Sequence, residues 1–251
     1  MTLRRKIEFK VLMVLLFIFL GWVNFVYAQG TEGNSDNTAD WFYPSWVANA
    51  PYNNHIVVRD TESSLGRYSL KTKTIGLKDL TRIHGHLCDG LVISFVQIKE
   101  VLARLFPEGV VDRTDLRAVS KNGPCWVDAI AFMTGSRINF QTLRIDNAVG
   151  DGFIIQMIST SEAYLVHLKP GVFPEELKSV EAKIRQLRAE GRHVEAKDID
   201  AVETMQNNLS KKILTTPSSE LLVVERLKDY QFHYCDFFGE RGDVINKNMG
   251  R

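Results

Sequence analysis

A chain of 251 residues, 45% apolar and 24% charged, is long enough for one large domain or one domain with additions, and its composition is ordinary for a folded soluble protein. Its 31 basic and 30 acidic residues leave a formal net charge of +1, which removes the electrostatic case for a nucleic-acid partner. Three cysteines cannot all pair with one another, so any disulfide scheme leaves an odd thiol.

The N-terminus reads as a secretory signal peptide over residues 1–28. Arg4, Arg5 and Lys6 form a basic start, Val11 to Leu20 is an unbroken apolar run, and Val26-Tyr27-Ala28 precedes a cut near Gln29. The apolar run is short of a full bilayer span, so no stable membrane insertion is expected after cleavage. An uncleaved anchor is the alternative. The predicted location is therefore the periplasm or the extracellular space.

Residues 29–74 form a leader and an aromatic segment. Gln29 to Asp40 is polar, and Trp41-Phe42-Tyr43-Pro44-Ser45-Trp46 either covers the edge of a core or lines a ligand or partner surface. His55 to Arg59 suggests a strand. Leu77, Leu80 and Ile83 are spaced as a short helix. Leu91, Phe95, Ile98, Leu102, Leu105 and Phe106 then make one apolar stripe, and Pro107-Glu108-Gly109 stops that helix. Leu116 to Ser120 reads as a strand. A second helix runs through Val127 to Met133 and closes at Gly135. Strand-like runs follow at Thr142–Asp146, Phe153–Ser159 and Ala163–Leu168. This helix-strand-helix-three-strand order predicts an α+β core over 75–170, with helices on one face of a mixed sheet. Residues 171–216 read as an inserted helical hairpin, striped by Leu177, Val180, Ile184 and Leu187 in its first helix. Residues 217–251 supply a last strand, Leu221 to Val224, and a polar tail. No internal repeat, phosphate loop or Gly-x-Ser-x-Gly elbow is present in the sequence.

The chemistry is concentrated in Ile83-His84-Gly85-His86-Leu87-Cys88-Asp89-Gly90. Thiolate and neutral imidazole are the usual ligands of zinc and softer transition metals. Alternate residues share a face if the segment is extended. Cys88 stands at or just before a helix N-terminus, where free amides and the helix dipole favour a thiolate, and Asp89 is a candidate N-cap. Asn122-Gly123-Pro124-Cys125 repeats the device at the next helix. Asp128, one turn after Cys125, either orients a histidine ligand or satisfies the helix N-terminus. His86, next to the helix start, is expected to be the better ligand, with His84 supporting it or facing a substrate. His233 and Cys235 alternate in the tail, where Cys235 completes the ligand set, makes a second site or is incidental. A Cys88–Cys125 disulfide is the competing account in an oxidising compartment.

His84-Gly85-His86-Leu87-Cys88-x-Gly90, followed by Cys125-x-x-Asp128-Ala129-Ile130 and Thr134-Gly135, resembles the FmdE family of formylmethanofuran dehydrogenase proteins. The resemblance implies a small metal-binding α+β protein and a homodimer. This chain departs from the family pattern at Asp89, where proline is usual, and at Ser136, where a second cysteine is common. It also has no Cys-x-x-Cys pairs. The expectation is an exported protein that binds a transition metal, zinc by default, through Cys88, Cys125 and His86, with His84 or Cys235 completing the set. Copper, nickel and iron, haem iron included, stay open. The alternatives are a metal- or thiol-dependent enzyme with an open coordination position, and a thiol-disulfide protein without metal.

Overall fold

The computed structural model describes residues 41–63, 65–233 and 247, all within the compact unit Asp40–Arg251. The signal-peptide segment, the polar leader and Cys235 lie outside the described residues. In chain order the elements are α1 (Ser45–Ala48), β1 (Ile56–Arg59), β2 (Lys73–Ile75), α2 (Leu77–His84), α3 (Asp89–Leu105), β3 (Val110–Asp112), β4 (Leu116–Ser120), α4 (Pro124–Thr134), β5 (Leu143–Ile145), β6 (Phe153–Met157), β7 (Ala163–Leu168), α5 (Glu175–Ala189), α6 (Ala196–Thr215), α7 (Ser218–Leu221) and β8 (Leu222–Leu227). Among the described residues no helix is long and apolar enough to cross a membrane.

The fold is α+β. Its main sheet has the order β5-β4-β6-β7-β8 and is mixed. β4 and β5 run parallel because α4 crosses over between them. The other neighbours are antiparallel and joined by short connections or, between β7 and β8, by the hairpin α5–α6. A second, smaller sheet, β2-β1-β3, was not expected. β2 and β3 are three residues each, too short to show a two-residue period in the sequence.

The pleat sorts the main sheet into two faces. Leu116 and Ala118 of β4, Phe153 and Ile155 of β6 and Val166 of β7 are fully buried and belong to the core cluster. Each of the larger side chains contributes on the order of 1.5–3 kcal/mol by leaving water. Val119, Ile154 and Leu165 point the other way, toward Tyr230 and Gln231.

α3 is where the structure departs from the predicted stripe. Val92, Ile93, Val96 and Val101 are as buried as Leu91, Phe95 and Ile98, and every residue from Asp89 to Ile98 is buried. A helix that is covered all round is a core helix. The main sheet, α4 and α6 surround it. The hairpin therefore does more than decorate the core: Leu209, Ile213 and Leu214 of α6 are buried in the same cluster. The aromatic segment divides. Tyr43 is buried and accepts a 2.6 Å hydrogen bond from Asn53, and Phe42 and Trp46 pack on the core. Trp41 is 87% exposed.

Candidate metal centre

Two helix starts and one helix end meet at the site. α2 ends at His84, and Gly85 caps it in the left-handed region at φ 95°, a conformation that favours glycine. That reversal returns the chain so that Cys88, in extended backbone, becomes the N-cap of α3. Asp89 is thus the first residue of α3, with Cys88 in the capping place expected for it. On the other side β4 delivers the chain to Gly123, the N-cap of α4. Pro124 occupies the first turn, where its missing N–H costs nothing, and Cys125 follows.

The packing of α3 against α4 brings the cysteines together. Cys88 Sγ lies 3.4 Å from Cys125 Sγ, and both thiols are free. His84 Nε2 lies 3.6 Å from Cys125 Sγ and 4.0 Å from Cys88 Sγ. The other ring nitrogen of His84, Nδ1, is 2.7 Å from Asp128 Oδ2. A carboxylate only accepts, so Nδ1 is the donor in that contact, and Nε2 is the ring nitrogen that faces the two sulfurs. His86 stacks beside His84 with ring centroids 4.6 Å apart. The ligand atoms of His84, His86 and Cys88 all lie within 4.8 Å of one another.

The two histidines are placed differently. The His84 side chain is 4% exposed and held by Asp128, whereas His86 is exposed at the rim. His84 is the inner imidazole because it ends a helix, so that it lies four residues before Cys88 across the Gly85 turn rather than on an extended strand with it.

The donor spacing fits an ion. Tetrahedral arms of about 2.3 Å to sulfur and about 2.0–2.1 Å to nitrogen require sulfurs roughly 3.8 Å apart and sulfur–nitrogen edges of roughly 3.5 Å. The observed sulfur–sulfur edge of 3.4 Å is the shorter and the sulfur–nitrogen edges of 3.6 and 4.0 Å are the longer, each within roughly half an ångström of the value an ion needs.

Without an ion the thiols share a proton. The Cys88 thiol is pushed well up, first by donating to Cys125 and then by burial. Cys125 is pulled down to about 7 by accepting that hydrogen bond, and His84 adds to the effect. His86 is lowered by partial burial and by His84 beside it, which keeps its imidazole neutral and able to donate a lone pair.

The site opens on a cleft of about 1480 Å³, walled by the starts of α3 and α4, the loop after β7 and the hairpin. His86, Cys88 and Cys125 line it, as do Trp41 and His167. His167 also makes a 2.9 Å contact from Nδ1 to the Leu168 carbonyl. Lys121 places its ammonium 3.6 Å from the centroid of Trp126 and pairs with Asp151. The sequence reading missed Glu181. It lies across the cleft from Asp89, whose carboxyl is pushed up to about 6, first by burial and then by that charge. Glu181 stands four residues after Leu177 and three before Ile184, so the helical stripe already marked it as inward-facing.

Two other positions marked in the sequence, Ser136 and His233, do not line the cleft. Ser136, at the position where the family often has a cysteine, follows the far end of α4. An 11-residue helix, roughly 16 Å long, separates it from Cys125. It is buried and donates to the Leu116 carbonyl at 3.4 Å. His233 is exposed against the other face of the sheet, and Cys235 lies outside the described residues.

Comparison with known proteins sets this geometry in context. No curated protein matches the chain. Among solved structures a match is found to a tungsten formylmethanofuran dehydrogenase FmdE-like protein from Syntrophus aciditrophicus. The identity is 14% and the TM-score 0.35, over 61% of this chain and 73% of that one. A family model, described as "FmdE, Molybdenum formylmethanofuran dehydrogenase operon", matches residues 83–223, from just before His84 through the hairpin to β8. That match spans more than half of the sequence and includes both cysteine segments, and on it the chain belongs to the FmdE family.

Proposed function

We propose that this FmdE-family protein is exported and holds a transition metal, zinc in the first instance, between Cys88, Cys125 and His84, with His86 as the fourth donor. The observation that supports the reading is the triangle of donor atoms, whose edges of 3.4, 3.6 and 4.0 Å suit one tetrahedral ion. Zinc is preferred because two thiolates with imidazole are a donor set it favours. A bound ion would supply positive charge and Lewis acidity at the floor of the cleft.

The chain's own residues prepare for it. Asp128 accepts from Nδ1 and so fixes the His84 tautomer with Nε2 free. The amides at the starts of α3 and α4 favour thiolate at Cys88 and Cys125. Burial of His84 keeps water from competing for its lone pair. His86, exposed and neutral, is the adjustable member. Seated, it closes the site for structure or metal handling; displaced, it leaves a position facing the cleft.

The cleft favours a second reading, a metal-dependent enzyme whose substrate reaches the ion past His86. A third, a thiol-disulfide protein, would rest on the 3.4 Å approach of the sulfurs alone. Export rests on the pattern of residues 1–28 and a homodimer on the family resemblance. N-terminal sequencing beginning near Gln29, and sedimentation at twice the monomer mass, would support those two points.

The deciding experiment is metal content of protein purified from its native compartment, repeated under reducing conditions for Cys88→Ser and Cys125→Ser. Stoichiometric metal in the wild type and none in either variant supports the proposal. Full occupancy in both variants, or a mapped Cys88–Cys125 bridge and no metal in the wild type, overturns it.

A further inference from the structure

We propose that Gly90 is a positioning residue for the metal centre, whose lack of a side chain sets how closely Cys125 approaches Cys88. The inference rests on the metal-binding reading above. Gly90 lies in the first turn of α3 and is buried. Its place there calls for a reason, because a helix interior ordinarily favours alanine over glycine. It is not conformational: Gly90 is absent from the residues with positive φ, so its backbone is open to any residue. The reason is steric. A Cβ at Gly90 would stand 3.1 Å from Cys125 Sγ, 3.3 Å from Cys125 Cβ and 3.2 Å from Trp126 Cζ3. All three are tighter than ordinary van der Waals contact, and two of them fall on the residue whose sulfur lies 3.4 Å from that of Cys88. An added methyl therefore requires Cys125 and Trp126 to give by a few tenths of an ångström, through their side chains or through the start of α4. Cys125 carries one of the two thiols, so its sulfur would shift from its place 3.4 Å from Cys88 Sγ.

Gly123 provides the internal control. It caps the same helix, and a Cβ there meets only Trp126 Cε3 at 3.5 Å and Lys121 Cε at 3.6 Å, which are ordinary contacts. Its φ of −173° is extended backbone that alanine adopts. The two substitutions should thus separate. Gly123→Ala weakens a cap and leaves the sulfurs where they are, whereas Gly90→Ala improves helix propensity and disturbs the sulfurs.

The probe is cobalt(II) alone, added to the reduced, metal-free full chain and read by its thiolate charge-transfer and visible d–d bands with a competing chelator. Wild type should show thiolate charge transfer. If it does not, the metal reading itself fails, and this inference with it. Given that band, Gly90→Ala should bind cobalt roughly tenfold or more weakly and shift the d–d envelope, while Gly123→Ala keeps the wild-type affinity and spectrum. Wild-type affinity and spectrum in Gly90→Ala would overturn the positioning role and leave the metal reading standing. Equal losses in both glycine variants would also overturn it. Should Gly90→Ala not fold, Gly90→Ala/Trp126→Leu removes the contact to the indole and keeps the one to Cys125. A shifted spectrum in that protein supports the role, and an unchanged one refutes it.

Discussion

His84 Nδ1 and Asp128 Oδ2, 44 positions apart in sequence, lie 2.7 Å from each other and tie the end of α2 to the first turns of α4. The bond fixes which nitrogen of His84 faces the sulfurs. Asp128→Asn can still accept through its carbonyl but loses the charge, so metal affinity should fall by about 10–100-fold without loss of stoichiometry. A competition titration with a chromophoric chelator measures it. An unchanged affinity would mean that the carboxylate serves only the helix.

The two histidines should separate in the same assay. His84→Ala removes a buried donor between both thiols, and His86→Ala removes an exposed one at the rim. The expected order is a larger loss for His84 than for His86. The reverse order would place the ion on the outer side of Cys88.

Proton release should report the shared thiol proton. With Cys125 at about 7 and Cys88 well above its ordinary value, binding displaces one thiol proton near pH 8 and two well below pH 7. Apparent affinity should therefore fall about tenfold per pH unit in the first range and at least about a hundredfold in the second, where the histidine ligands also gain protons. A constant slope through pH 7 would show that the two thiols titrate together.

Asp112 makes an acid-sensitive link remote from the site. Burial alone would raise its pKa, but hydrogen bonds from Lys247, Thr114 and Tyr68 outweigh that and hold it low. A carboxyl lowered in the folded state stabilises above its unfolded pKa, near 3.8, and the contribution is lost as pH falls through the folded value. Asp112→Asn should cost about 1–2 kcal/mol at neutral pH, and the gap to wild type should narrow as pH falls below about 3.8 toward the folded value. Urea unfolding at pH 7 and over a series below pH 4 reads both; a gap that does not narrow in acid contradicts the assignment.

Ile213 tests whether the hairpin belongs to the core. It is fully buried in the cluster that includes α3. Ile213→Ala should destabilise the protein by about 2–5 kcal/mol in a single cooperative transition. A loss under about 0.5 kcal/mol, or a separate early transition for the hairpin, would make it an independent appendage.

The helices, the longer strands and the identity of the candidate donors were legible in the residue pattern. Leu77, Leu80, Leu91, Phe95 and Ile98 carry a helical period, Phe153 to Met157 and Ala163 to Leu168 carry runs bounded by turn residues, and His-x-His-x-Cys is contiguous. Each of these is a pattern within a few residues, and local backbone geometry answers to such patterns directly. Long-range packing settled the rest. Alternation in an extended segment would put His84, His86 and Cys88 on one face, and a place next to the helix start favours His86, but α2 runs on to His84 and Gly85 turns the chain, so His84 is the buried histidine and His86 the exposed one. The stripe on α3 predicted one buried face, and the hairpin from more than 100 residues later covers the others. Whether Cys88 and Cys125 share a site depends on how closely α3 packs on α4. Gly90 sets that distance by having no side chain, and an absent side chain leaves no mark in a hydrophobic or ligand pattern.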